Sequence, residues 1–198
     1  MPVEKTYPGR YHPVSKAVES ARRIWLDMGF KEMQGPLIDS EFWVFDALFT
    51  PQDHPAREMQ DTLFVDGTQK LDKRLVERVK TPHEKGVDGS RGWQYKFNDK
   101  VSERLIMRTH STCLSARTLS ELKKTDLPAK FFSVGRCFRN ETIDWKHGFE
   151  FNQTDGIVID PNANFKNLIG YLKQFFTKLG HSNIRFKPKY FPYTEMSL

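Results

Sequence analysis

Two extended, aromatic-rich runs, Lys130–Arg139 (KFFSVGRCFR) and Phe149–Asp160 (FEFNQTDGIVID), flank the nine residues Asn140–Gly148. That spacing suits two antiparallel strands joined by a long polar loop, and a lone hairpin of this length needs other elements to cover its apolar face. Alternate residues of a strand point to the same side, so Phe151, Gln153 and Asp155 share a face. Arg139 and Glu141 are likewise two apart on the partner run.

Helical periodicity supplies the cover. Residues 13–28 carry Pro13 in the first turn, then Val14, Ala17, Val18, Ala21, Ile24, Trp25 and Met28 at helical spacing, with Gly29 placed to end the helix. Asn164–Leu179 is the clearest helix, with Phe165, Leu168, Leu172 and Phe175 on its stripe and Gly180 after it. Shorter helices are expected over Ser40–Leu48, Leu71–Lys80 and Thr112–Leu122, and strands over Thr62–Val65, Leu105–His110 and Ile184–Phe186. A strand over Phe30–Ile38 is interrupted by Gly35 and Pro36, and Thr50–Asp61 reads as an ordered loop. Residues 80–93, rich in glycine and charge, mark an exposed insertion near 66–100. Hairpin-joined strands with helices outside them predict an α+β fold, an antiparallel β-sheet flanked by helices, in one domain over 1–198.

Composition narrows the function classes only slightly. With 38% apolar and 28% charged residues, the chain can bury an ordinary core. No apolar run approaches the ~20 residues of a membrane-spanning helix, and the first residues lack a signal-peptide core, so a cytoplasmic protein is expected. Cys113 and Cys137 are isolated, and the six histidines show no metal spacing such as HExxH, so neither a disulfide framework nor a protein-held zinc is expected. A net charge of +6 suits a polyanionic partner without requiring one.

The hairpin carries the side chains with chemistry. Arg139 offers a planar guanidinium fork suited to phosphate, Glu141 accepts from an amine, Phe151 offers a ring to a flat base, Gln153 an amide and Asp155 a carboxylate for an ammonium. The competing reading is structural: Arg139 paired with Glu141 or Glu150, Phe151 in the core and Gln153 a satisfied amide. His110 and Thr112 stand where a strand runs into a helix, a place for ligand contact, or for a helix cap at Ser111 or Thr112 beside a hydrogen-bonded structural histidine.

The runs GFKEMQGPLIDSEFWVFDALFTPQDHPARE, SRGW, RTHSTCLSAR, FFSVGRCFRNETIDWKHGFEFNQTDGIVI and FPYTE, in this order, cover most of residues 10–195. Together they resemble the phenylalanyl-tRNA synthetase alpha subunit of archaeal or eukaryotic type, a class II aminoacyl-tRNA synthetase. The resemblance implies an enzyme that makes phenylalanyl-adenylate from phenylalanine and ATP with Mg2+, then transfers the acyl group to tRNA(Phe). It implies that the first helix and the strand ending at Gly35 and Pro36 match motif 1, a subunit interface. The hairpin matches motif 2. Arg139 would then hold the α-phosphate as the catalytic residue, Glu141 and His147 would contact ATP, and Phe151 would stack on adenine. His110, Thr112, Gln153 and Asp155 would surround the amino acid's ammonium and carboxylate, with Tyr193 and Phe191 bordering the ring pocket. The implied partners are tRNA(Phe), phenylalanine and a beta subunit, which edits tyrosine errors, in an alpha–beta heterotetramer or a dimer through motif 1.

Three positions depart from that pattern: Asp155 stands in place of glutamate, Asn152 in place of histidine and Met196 in place of proline. The chain begins near the catalytic domain and ends at Leu198, before the family's motif 3, so half of the ATP site is expected to lie outside it, leaving the fold incomplete at its C-terminal end. A catalytically inactive paralogue that keeps an amino-acid or nucleotide pocket for sensing or partner binding is the second expectation. A nucleic-acid-binding module resting on the +6 charge and Trp145 is the third.

Overall fold

The computed structural model describes residues 7–58, 61–191, 194 and 196–198. In chain order the elements are α1 (Pro13–Asp27), β1 (Lys31–Glu32), β2 (Ile38–Ser40), α2 (Glu41–Val44), β3 (Phe64–Thr68), α3 (Lys73–Lys85), α4 (Asp99–Ser102), β4 (Arg104–Met107), α5 (Thr112–Glu121), β5 (Ala129–Phe138), β6 (Glu150–Ile159) and α6 (Phe165–Lys178). Short 3-10 turns cover Asp46–Leu48, Pro55–Arg57 and Lys124–Asp126.

The expected hairpin forms the centre: β5 and β6 pair antiparallel over ten residues each, from Ala129 opposite Ile159 to Phe138 opposite Glu150. The two-residue β1 joins β5 in parallel, so this sheet is mixed, while β2, β4 and β3 make a second, antiparallel sheet of three strands. The α+β architecture therefore matches the sequence reading, with two small sheets instead of one. Gly35 and Pro36 are the reason: they end β1 early and send the chain over to the second sheet at Ile38.

One face of the β5–β6 ribbon is closed by α1 and α6. Ile24, Trp25, Met28, Phe30, Phe132 and Phe175 form that core, and Trp25 donates its indole N–H to Thr154 Oγ1 at 2.7 Å. Gly156 permits this approach, because a Cβ there would lie 2.7 Å from the Trp25 ring. The opposite face meets α2, α5 and β4 through Met33, Val44, Phe45, Ile106, Cys113 and Leu114.

Two expectations need correction. Among the described residues, Ile184–Phe186 forms no strand; alternation gives an extended segment a buried side but does not provide the neighbour whose backbone it must bond. The stretch near 66–100 is exposed over residues 87–91 but is anchored on both sides of them, with His83 and Phe97 buried. The helix begun at Lys73 runs to Lys85, and its Leu75, Val76 and Val79 pack against the cluster of Phe42, Trp43 and Ala116. Gly92 lets the chain turn back at φ 64°, where a Cβ would collide with the Pro82 carbonyl oxygen at 2.5 Å. No helix among the described residues is long and apolar enough to cross a membrane.

Candidate functional site

The two sheets meet at Arg108, just beyond β4. Its backbone N–H donates to Leu37 O and its carbonyl accepts from Phe138 N, both at 2.9 Å, while its side-chain Nε donates to Arg136 O at 2.7 Å. This junction sets the end of β5 beside the segment Thr109–Thr112, and Arg139 Nε donates to Thr109 O at 3.3 Å. A cavity of about 670 Å3 opens there, lined by Phe45, Thr50, His54, His110, Thr112, Arg139 and Glu141 among others.

Of the residues singled out from sequence, Arg139, Glu141, His110 and Thr112 therefore share one cavity. Arg139 and Glu141 are 3.6 Å apart and both are partly exposed, a separation that leaves the guanidinium mostly available. The Arg139 guanidinium lies over the Phe151 ring, 5.0 Å from its centroid, so the two side chains are on the same side of the hairpin. Phe151 is thus covered by Arg139 on the face it would offer a base.

Gln153 and Asp155 lie further down the same face, against the start of α5. Gln153 Oε1 accepts from Ser111 N at 3.3 Å, and Asp155 Oδ2 accepts from Ser115 Oγ at 3.3 Å. Burial pushes the Asp155 carboxyl up, opposed by hydrogen bonds from Thr112 and Ser115. Burial also drives His110 down to about 4, assisted by the Arg139 charge and opposed by a backbone hydrogen bond at Val44, and its Nδ1 has no hydrogen-bond partner among the described residues. The imidazole is consequently neutral at pH 7.

His147 sits in the exposed β5–β6 loop, where Nδ1 is 2.9 Å from the Asp144 carboxylate; that hydrogen bond holds the imidazole pKa above its usual value. Phe191 lies outside the cavity lining, with Lys189 Nζ 5.3 Å above its ring. Tyr193 falls outside the described residues.

Sequence reasoning missed the opposite wall of the cavity. Thr50, His54 and Ala56 belong to a segment read only as an ordered loop, and Phe45 and Leu48 to the short helix expected before it. Its rigidity comes from Arg57, 4% exposed, which donates to Glu41 Oε2 at 3.3 Å, to Asp46 Oδ1 at 2.7 Å and to Thr50 O. His83 reaches the same wall through Asp46 O at 2.8 Å, and Trp93 through Phe49 O at 2.9 Å. The available signal was an arginine beside two prolines in a loop otherwise free of periodicity.

Comparisons with known proteins bear on this site. The family described as tRNA synthetases class II core domain (F) matches residues 1–198. The phenylalanine–tRNA ligase alpha subunit of Methanococcus maripaludis (strain C7) is 49% identical, covering 100% of this chain and 41% of its own length. The protein of the same name from Methanopyrus kandleri is 46% identical over 100% of this chain and 38% of its own. The chain thus spans about two fifths of the length of these curated relatives. A pyrrolysyl-tRNA synthetase from Desulfitobacterium hafniense superposes with a TM-score of 0.60 at 14% identity, over 89% of this chain and 50% of that one, a likeness of fold.

Proposed function

Because this chain belongs to the class II tRNA synthetase core-domain family (F), we propose that it forms the amino-acid-activating centre of a cytoplasmic phenylalanine–tRNA ligase alpha subunit. The observation that carries the reading is the convergence of Arg139, Glu141, His110 and Thr112 on one cavity, reached from two different sheets.

In the proposed first step a carboxylate oxygen of phenylalanine attacks the α-phosphorus of ATP. The bond to the bridging oxygen breaks, and pyrophosphate leaves with its Mg2+. Negative charge grows on the α-phosphoryl oxygens, and Arg139 stabilises it as a positioned cation that needs no reorganisation. To do so the guanidinium turns from the Phe151 ring to the phosphate, which frees the ring to stack on adenine; Glu141 receives the exocyclic amine, and His147 contacts ATP from the loop. Thr112 faces the amino acid together with neutral His110, which adds no competing positive charge near the ammonium. Gln153 and Asp155 back that pocket through α5, and Phe191 and Tyr193 border the side chain. In the second step a terminal ribose hydroxyl of tRNA(Phe) attacks the acyl carbonyl, AMP leaves and the hydroxyl proton is lost. A beta subunit and a tetramer complete the proposed assembly.

The test is ATP–pyrophosphate exchange with phenylalanine, on this chain and on a version extended to the length of its relatives. Exchange is expected in the extended protein and to fall about 10²–10³-fold in Arg139→Ala, with the circular dichroism unchanged. Exchange near the parental rate in Arg139→Ala would remove the phosphate role. Absence of exchange in both versions, with phenylalanine still bound, would instead indicate a non-catalytic sensor.

A further inference from the structure

We infer that His54 contacts the bound substrate, donating its Nε2–H to an oxyanion, either a phosphate oxygen or a carboxylate oxygen; the inference rests on the substrate reading above. His54 lines the cavity together with Arg139 and Thr112. Its Nδ1 accepts from Ala56 N at 3.1 Å. A ring nitrogen that accepts a hydrogen bond carries no proton, so the neutral ring holds its hydrogen on Nε2. Among the described residues that Nε2 has no hydrogen-bond partner.

The ring is also held in place more firmly than a turn residue requires. Pro55 fixes the backbone after it, Thr62 Oγ1 donates to Ala56 O at 2.7 Å, and Arg57 is clamped by Glu41, Asp46 and the Thr50 carbonyl. With Nδ1 committed, His54 keeps one ring donor, Nε2–H, and no free ring acceptor for a ligand in the cavity it lines. Glu141 and Asp61, also in the lining, already provide acceptors, whereas Arg139 is the cation beside which an anion would be held. A second donor in the same lining would hold that anion together with Arg139.

The competing account is that His54 only caps the Pro55–Arg57 turn, and two substitutions separate the accounts. In His54→Asn, Oδ1 takes over the acceptor role of Nδ1, so the cap survives while the Nε2 donor is lost. In His54→Gln, the amide nitrogen sits near the position of Nε2, so the donor survives while the cap is lost. Binding of Mg–ATP and of phenylalanine to the full chain is measured separately by calorimetry, with thermal unfolding as the fold control. His54→Asn is expected to weaken one of the two ligands about tenfold or more, with His54→Gln within about threefold of the parent. Weakened ATP identifies a phosphate oxygen, and weakened phenylalanine identifies the carboxylate. Parental affinity for both ligands in His54→Asn overturns the inference, as does loss confined to His54→Gln. Arg139→Ala run in parallel separates the two levels. If it loses ATP while His54→Asn keeps parental affinity for both ligands, only the His54 inference falls; if the parent binds neither ligand, the substrate reading falls with it.

Discussion

His110 lines the cavity with Phe45 and Arg139, and its protonation is linked to stability. The imidazole titrates at about 4 when folded against 6.5 when exposed. Between those values the unfolded chain takes up a proton that the folded chain refuses, so this contribution is fully present above pH 6.5 and is lost as the pH falls toward 4. The ceiling is ~3 kcal/mol. Urea midpoints measured from pH 7 to pH 4 should fall for the parent, and His110→Gln should flatten that fall. Asp155 acts in the opposite sense: its carboxyl is held above the ordinary value, so its contribution weakens as the pH rises through the folded pKa. The His110 effect is therefore cleanest in an Asp155→Asn background. Sequence spacing put His110 and Thr112 near a ligand, but the burial that keeps the imidazole neutral depends on Phe45, whose ring centroid is 6.2 Å from that of His110 and which lies 65 residues away in the chain.

Two packing arrangements carry the consequences at the level of elements. Arg57 ties the loop before β3 to α2 and to the 3-10 turn at Asp46–Leu48, and Arg104 of β4 adds a contact of 2.6 Å to Glu41. Arg57→Ala would leave Glu41 and Asp46 buried without their shared cation, a loss of ~3–5 kcal/mol readable by urea denaturation. On the other side of the hairpin, Gly156→Ala drives a methyl into the Trp25 ring and should cost ~1–3 kcal/mol by forcing α1 off β6. The long elements α1, β5, β6 and α6 were legible because each repeats its pattern over ten residues or more. The cavity wall was not, because its order comes from buried ionic and carbonyl contacts that leave no periodic trace.

For the molecule as a whole, Arg108 is the joint between the two sheets. It is 4% exposed, and its side chain donates to the Arg136 and Pro36 carbonyls. Arg108→Met should lower stability by ~2 kcal/mol, since the Arg136 carbonyl loses its donor. It should also raise amide exchange in β4 and at Arg139 before it does so in the middle of β5 and β6. That order of loss would show that the cavity, and not the core, depends on the joint. By itself the sequence determined the hairpin, the two long covering helices and which side chains could share a face, because strand and helix periods are local properties of the chain. Only the tertiary structure decided that Arg139 rests on Phe151, that Asp155 turns to α5, and that His54 lines the same cavity as Arg139. Those outcomes depend on which distant segments exclude water from one another, and no local pattern records that.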